Sequence, residues 1–470
     1  MNKRVYLLLV PLLITGCSFN SNKKDDKNKN DKGYIKEATT IDFLCMSDSS
    51  YRDTLEKIIK DFKEEEPNVT VNLCNPLGSG SYDMIEKTVF AGFFNQDYPD
   101  IVQCYPDNVV NYIAAGYALN IDDFLNDSTF GLNEKEKEDY ISSFMEEGQG
   151  YSVPGTYSLP FCKSTELMYY NADLLIGLEL DGINENKPLD DAYLNNLTWE
   201  ELFDNLCPKL KEKNLIVESD KSSIFTYDSD ENLFITLANQ YDYGYTSIDE
   251  QGKPSVDFDN NEMKELIKTF KKAKDDGYLQ TKNTYGNYVS YSFVDKKSLF
   301  TVSSTAGLAY NFDKENPITI GVAKIPHAEG REYSSINQGP SVCLLDHKDD
   351  NRAKASFLFW KFLTNETNSS TWSVKTGYMG IRNSTYESEE YMQSLNVNDE
   401  DLLKAAEAKN RVKISEVKSQ TFNTPVFKGS GRARKNVGLL LKDCLMSEDL
   451  NSEIDSLFRT YSDDAKSYIK

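Results

Sequence analysis

The sequence predicts an α/β fold in which a parallel sheet carries helices on both faces. Three observations lead there. The first third of the chain alternates strand and helix patterns, and βαβ repetition builds parallel sheets. Apolar residues make up 39% and charged residues 27% of the 470, which allows a sizeable core. At roughly 100–200 residues per domain, the length suggests about two or three domains.

The elements follow in order. Ile41 to Met46 reads as a strand. Leu55, Ile58, Ile59 and Phe62 recur at helical spacing, and Pro67 stops that helix. Val69 to Cys74 is a second strand, Asn75 to Gly80 a loop, and Tyr82 to about Phe94 a second helix. Pro99 to Cys104 is a third strand, and Asn108 to Ala115 a short helix. Later, Thr198-Trp199-Glu200-Glu201 reads as a capping box, with Thr198 accepting from an N3 amide and the Glu reaching back. Asp259-Asn260-Asn261-Glu262 opens another helix, with Met263, Leu266, Ile267, Phe270 and Ala273 on one face. Arg352 to Leu363 is an apolar helix containing Trp360, and Leu450, Ile454, Leu457, Phe458, Tyr461 and Ala465 line a C-terminal one. No repeat of fixed period appears. In open α/β sheets ligands sit beyond the carboxyl ends of the strands. That places the 47–50, 75–82 and 105–108 loops on one rim, several of them rich in the Ser, Gly, Asn and Tyr that suit a polar small molecule.

The amino terminus reads as an address. Lys3 and Arg4 precede a ten-residue apolar run, Val5 to Ile14, too short to span a bilayer. No later stretch reaches 18 apolar residues. Ile14-Thr15-Gly16-Cys17 resembles the bacterial lipobox, which implies a signal peptide over residues 1–16 and lipidation of Cys17. Two or three acyl chains make a stable anchor. Residues 17–37 then read as a flexible lipid-anchored tether, dominated at first by Ser, Asn, Lys and Asp. The net charge is −23, but residues 1–37 carry positive charge, so the body from Ala38 onward stands at −27. Such a field repels phosphate backbones, which excludes nucleic acid as a partner.

Metal and redox chemistry find little support. His327 and His347 stand 20 residues apart without metal-ligand spacing. Cys17 aside, Cys45, Cys74, Cys104, Cys162, Cys207, Cys343 and Cys444 show no C-x-x-C or C-x-x-H spacing. Cys45, Cys74 and Cys104 fall in strands, where a thiol packs as a small hydrophobe. One disulfide stays open for an exported protein. No cofactor and no metal are expected.

A family resemblance rests on five segments in order. Ser158-Leu159-Pro160-Phe161 with Tyr169-Tyr170-Asn171-Ala172-Asp173 resembles the "LPF…YYNKD" segment of the family 1 extracellular solute-binding proteins. Tyr98 to Val102, Thr198 to Leu202 and Val322 to Pro326 resemble further segments. So does the run Ala355 to Leu363 followed by Trp372, Thr376-Gly377-Tyr378 and Arg382. The resemblance implies a two-lobed periplasmic-binding-protein type II fold, each lobe a mostly parallel sheet flanked by helices. Lobe one would be 38–160 plus 340–383, and lobe two 163–337 plus 384–470. Gly155 to Pro160 and Asn337 to Pro340 are the hinge candidates. The implied function is capture of a sugar, oligosaccharide or glycerol phosphate between the lobes, by a monomeric, non-enzymatic lipoprotein held outside the cell membrane that serves an ABC importer's permease.

Candidate ligand residues come from the same resemblance. Tyr82 matches a first-lobe ligand position. Asp107 matches a carboxylate for sugar hydroxyls, while Pro106 stands where glycerol-phosphate members have Glu. Ser164, beside Thr165, and Ser304 match hydroxyls of the glycerol-phosphate branch, Gly339 a close-approach glycine, and Tyr378 the TGY tyrosine. Lys428-Gly429-Ser430-Gly431-Arg432-Ala433-Arg434-Lys435 places four positive charges in eight residues of an acidic body. Arg432 or Arg434 would grip a phosphate bidentately. Each has a plainer reading. Tyr82 and Tyr378 also suit half-buried core positions, Asp107 a helix N-cap, Trp372 the core, and the basic segment a solvated loop or docking patch. Two rival functions remain at this point. A surface glycoside hydrolase needs two carboxylates about 5–10 Å apart, which 75 acidic residues supply by chance. A surface adhesin needs no small ligand at all.

Overall fold

A computed structural model describes residues 32–46, 49–76, 82–396 and 400–469. The signal peptide, Cys17 and the tether up to residue 31 lie outside the described residues. Two five-stranded sheets organise the chain. The first has the order 69–74, 39–44, 101–104, 341–344, 159–160. Thr39–Leu44 pairs in parallel along its whole length with Val69–Cys74, and also in parallel with Ile101–Cys104. Its alternation decides its faces: Ile41 and Phe43 enter one core, and Leu44 turns to the other. The connecting helix Ser49–Glu65 buries Leu55, Ile58 and Phe62, as its periodicity predicts.

The second sheet has the order 320–323, 166–171, 300–304, 225–227, 279–281. Glu166–Asn171 is buried at every position because both of its faces are covered. Met168 and Tyr170 belong to one core, Leu167 and Tyr169 to the other. The sheets are mixed, not mostly parallel. Ser341–Leu344 runs antiparallel to both its neighbours, and so does Glu166–Asn171. Ser341–Leu344 and Glu166–Asn171 each follow directly on a segment that crosses between the sheets. The remaining pairings, 300–304 with 225–227 and 225–227 with 279–281, are parallel.

The later helices lie where their patterns place them. Asn260 caps Asn261–Asp275 by accepting from the Met263 amide at 2.8 Å. Trp360, on Asp350–Leu363, is fully buried and donates to the Pro160 carbonyl at 3.0 Å. Thr198 accepts from the Glu201 amide at 3.1 Å, but the Glu201 carboxylate bonds Tyr193 and Asn205 instead of reaching back. Only half of the expected capping box forms, because nearer donors take the carboxylate. The short helix Glu389–Ser394 packs on Glu366–Thr376, beside the first sheet's helices.

Among the described residues a further segment crosses between the sheets beyond the two that the sequence suggests. Besides the chain around 155–165 and 337–340, the stretch 421–429 crosses. Thr421–Phe422 pairs with Ser335–Ile336, and Val426 then bridges to Tyr151. The basic segment is not a loop. Gly429, at φ 102, precedes a 17-residue helix, Ser430–Met446, whose first turns carry Arg432, Arg434 and Lys435. Ala433, Val437, Leu440 and Leu441 bury that helix in the second core.

All seven cysteines among the described residues are free thiols, six of them buried and Cys74 partly so. Among the described residues no helix is long and apolar enough to cross a membrane.

Candidate functional site

A cavity of about 440 Å³ opens between the two sheets. Its walls are the chain just beyond strand ends, as the topology of open sheets leads one to expect. Tyr105 to Asn108 follow the strand Ile101–Cys104, Asp228 and Ser229 follow Phe225–Tyr227, and Ser303 and Ser304 end Phe300–Ser304. Asn337, Gln338 and Gly339 line it from one crossing segment, and Asn423, Thr424 and Val426 from another. Glu147, Glu166, Asn232 and Arg434 complete the wall.

The hydrogen bonds divide the wall into two parts. At one, Lys163 is fully buried and donates to both oxygens of Glu147, at 2.9 and 2.7 Å, and to the Gly339 carbonyl at 3.0 Å. Ser341 donates to the same carboxylate at 2.7 Å and Asn337 at 3.3 Å. The Glu147 charge is therefore answered inside the protein. At the other part, Arg434 donates to the Asn232 side-chain oxygen, and Asn232 donates to Glu166 at 2.6 Å. Tyr227 donates to the second Glu166 oxygen. Burial pushes the Glu166 carboxyl up to about 7, against the pull of these donors and of Arg434. Burial also raises Asp228, although the Val289 amide donates to it at 3.2 Å.

Two buried polar atoms in the wall have no protein partner: Asn337 Oδ1 and Gln338 Nε2. Buried polar groups are nearly always satisfied. An acceptor and a donor left open on adjacent residues of a cavity wall suit a polar ligand.

Four of the sequence candidates line this cavity: Asp107, Ser304, Gly339 and Arg434. Asp107 lies in the first turn of Pro106–Ala114, one position inside the helix start, so it is not the N-cap; Tyr105 is. Its carboxylate accepts from Ser430 Oγ, at the start of the helix Ser430–Met446. Ser304 caps the 305–311 turn, accepting from Ala306 at 3.4 Å. Gly339 has φ +88, and a Cβ there would stand 2.0 Å from the Cys162 carbonyl.

The other candidates with described side chains do not line it. Arg432 forms a two-point bond with Asp464 at 2.6 and 3.0 Å, on the opposite side of its helix. Thr165 is fully buried, bonded to Ser335 and to the Ile336 carbonyl. Ser164 is buried in a backbone bridge with Gln338. Tyr378 packs beside Tyr51, at 6.1 Å between ring centroids. Trp372 stacks on Phe161 in the core. Tyr82 opens the helix Tyr82–Asn95, and its side chain lies outside the described residues. Glu147, Glu166, Asp228, Asn232 and Gln338 carried no motif. One signal was available: a charged residue heading the apolar strand Glu166–Asn171, directly after Ser164-Thr165.

Among the described residues no group of His, Cys, Asp and Glu is arranged to hold a metal ion.

With this geometry in place, comparison with known proteins is informative. The sn-glycerol-3-phosphate-binding periplasmic protein UgpB of Shigella dysenteriae is 22% identical over 367 residues, spanning 76% of this chain and 77% of that protein. Its counterpart in Pectobacterium atrosepticum is 21% identical over 360 residues, 74% and 75% of the two chains. Among solved structures, UgpB of Mycobacterium tuberculosis in complex with glycerophosphocholine superposes with a TM-score of 0.68 at 18% identity, covering 92% of this chain and 98% of that one. The cyclic α-maltosyl-1,6-maltose binding protein of Arthrobacter globiformis gives 0.68 at 14% identity, covering 92% and 99%. These two share the two-lobed fold. The family model described as bacterial extracellular solute-binding protein matches residues 57–398, well over half of the sequence, and the chain belongs to that family.

Proposed function

We propose that this protein captures a small polyol bearing an anionic group, of the glycerol-phosphate class, between its lobes and hands it to the permease of an ABC importer. The observation that carries the anionic reading is Arg434. Among the described residues lining the cavity it is the one Lys or Arg, and its side chain reaches Asn232 in the wall. A guanidinium presents a planar fork of donors to a phosphate. Ser229, Ser303, Ser304 and the open Gln338 donor suit hydroxyls and phosphate oxygens alike. The cavity volume falls within the range of small-molecule sites, roughly 300–1,000 Å³. The names of the relatives from Shigella and Pectobacterium point the same way.

In this reading lobe one is built on the first sheet and lobe two on the second, the stretch 384–394 stays with the first sheet's helices and does not join lobe two, and closure about the crossing segments buries the solute. Cys17 carries the lipid anchor, the tether holds a monomeric body away from the membrane, and no bond is made or broken in the solute.

A thermal-shift screen of glycerol phosphate, hexoses and maltose-type oligosaccharides tests this. A solute that binds only the native state raises Tm by mass action. Glycerol phosphate is expected to raise it, and Arg434→Ala to abolish that shift, while Arg432→Ala leaves it in place. Stabilisation by a neutral sugar alone, unchanged in Arg434→Ala, overturns the phosphate assignment. Turnover of an oligosaccharide overturns the non-enzymatic reading.

A further inference from the structure

We infer that Glu166 senses the charge of the solute: seating an anionic group at Arg434 draws one proton from solvent onto the Glu166 carboxylate. The inference rests on the anionic reading above and adds a thermodynamic signature to it.

The geometry is a short relay. Arg434, on the helix Ser430–Met446, donates to the Asn232 side-chain oxygen. The amide nitrogen of Asn232, on the helix Asp230–Tyr241, donates to Glu166 Oε1 at 2.6 Å and to Gln338 Oε1 at 3.4 Å. Glu166 Oε2 accepts from Tyr227, at the end of the strand Phe225–Tyr227 in the same sheet. Glu166 itself heads its strand, is 2% exposed and lines the cavity. Guanidinium and carboxylate are thus separated by one side-chain amide.

The charges that face Glu166 come from every side. Arg434 supports its ionised form, and Asp228, just past the end of Phe225–Tyr227, opposes it. Tyr227 and Tyr333 lie close enough to interact electrostatically with it. Ser304 is its neighbour across the antiparallel pair and brings no charge. The Lys163–Glu147 pair in the wall is internally compensated. Asp107 completes the set of cavity carboxylates, already bonded to Ser430. Without solute, Arg434 is the cation that supports Glu166, while the Lys282 ammonium lies near Asp228.

An incoming anion changes the balance. It takes the hydrogen bonds and the field of Arg434, and it sets a further negative charge near Glu166, which is itself buried. Opposite charge lost and like charge gained both favour the neutral acid. Burial already holds this carboxyl close to the point of protonation at neutral pH. The proton comes from solvent, and the product is a neutral carboxylic acid that still accepts from Asn232 and Tyr227. A neutral sugar alters no charge and takes up no proton.

The probe is a glycerol phosphodiester, diglycerol phosphate, which has no ionisation of its own between pH 6 and 9; a neutral hexose is the control. Calorimetric titration of the intact protein at pH 8, in buffers of different ionisation heat, counts protons, and Kd is followed from pH 6 to 9. Expected is uptake approaching one proton per phosphodiester at pH 8, with Kd rising up to about tenfold per pH unit above 7. Glu166→Gln is expected to bind with a pH-independent Kd and no uptake, and Asp228→Asn to keep the uptake. Wild-type binding of the phosphodiester with a flat Kd and no uptake overturns the inference and leaves the anionic reading standing. Uptake that survives in Glu166→Gln and vanishes in Asp228→Asn overturns the assignment to Glu166. Binding of hexose but not of phosphodiester overturns the anionic reading itself. If Glu166→Gln fails to fold, the wild-type proton count and Asp228→Asn still decide.

Discussion

The buried ion pair beside the cavity offers the sharpest test of how the crossing segments are held. Lys163 and Glu147 have side-chain exposures of 0% and 7%. The ammonium makes three bonds: two to the carboxylate, at 2.9 and 2.7 Å, and one to the Gly339 carbonyl at 3.0 Å. Replacing Lys163 by Met keeps most of the stem and removes all three. Glu147 would retain only Ser341 at 2.7 Å and Asn337 at 3.3 Å, two neutral donors for a buried charge. Breaking a buried pair from one side costs about 3–5 kcal/mol, whereas an exposed pair is worth roughly 0–1. Against a typical stability of about 5–15 kcal/mol, the loss is large. Urea unfolding followed by tryptophan fluorescence measures it. Adding Glu147→Gln to Lys163→Met removes the stranded charge while keeping an acceptor for Ser341, and should restore most of the loss. A single-variant loss under about 1 kcal/mol, or no recovery in the double variant, would refute the view that this pair clamps the crossing strands.

Other expectations follow from single residues. Gly339→Ala puts a Cβ 2.0 Å from the Cys162 carbonyl at a φ of +88, so it should cost more than the ~1–2 kcal/mol of left-handed backbone strain alone. Gly116→Ala, at φ +78 with nothing within 4 Å, is the control that should show only the strain, and equal Tm losses would contradict the steric account. Of the seven thiols in the described residues only Cys74 is partly exposed. A thiol reagent should therefore titrate about one equivalent in the native protein and all seven in denaturant; two or more fast native thiols would count against this packing. Glu166 is raised from an ordinary 4.5 to about 7, and buried Asp230 from 3.8 to about 6. Between those limits the unfolded state holds fewer protons than the folded one, so stability falls as pH rises from about 4 to 7. At 1.36 kcal/mol per pH unit the Glu166 share is on the order of 3 kcal/mol. Glu166→Gln should flatten the fall, and an unchanged slope in thermal scans would exclude Glu166 as its source.

Legibility in the sequence followed the physical character of each signal. Helices with an apolar face and a cap, such as Asn261–Asp275 behind Asn260, were readable because periodicity and capping are local. The alternation of strands and helices was readable for the same reason. The antiparallel returns at 341–344 and 166–171 were not, since strand direction depends on which lobe the chain comes from. The crossing stretch 421–429 carries breakers in Pro425 and Gly429, but these do not say where the chain goes; its path is imposed by Ser335–Ile336 and Tyr151. Arg432 and Arg434 show most clearly what was missed. As members of a loop they are equivalent. On a helix two residues turn by about 200°, so Arg434 reaches the cavity and Arg432 reaches Asp464. The apolar spacing of Ala433, Val437, Leu440 and Leu441 held that information, behind glycines that read as a loop. Glu166 and Gln338 became site residues only through long-range pairing, which no local pattern encodes.

The body's charge sets a condition on how an anionic solute is held. A field of −27 repels such a solute at long range, and steering by net charge slows its approach. Salt screens that repulsion beyond about 10 Å at 0.1 M. The attraction has to be short-ranged, and Arg434, partly buried in the wall between the sheets and held by Asn232, meets that need. Asp107 takes part in the same arrangement from the opposite wall. Its carboxylate bonds Ser430 at the amino-terminal end of the helix that carries Arg434, where the backbone dipole favours negative charge. The protein's own anion thus occupies the helix end, and the guanidinium about one turn further along is left for the solute. The two capture terms are separable by salt: association with an anionic solute should quicken as ionic strength rises, while the lifetime of the complex, set by contacts at Arg434, should change little.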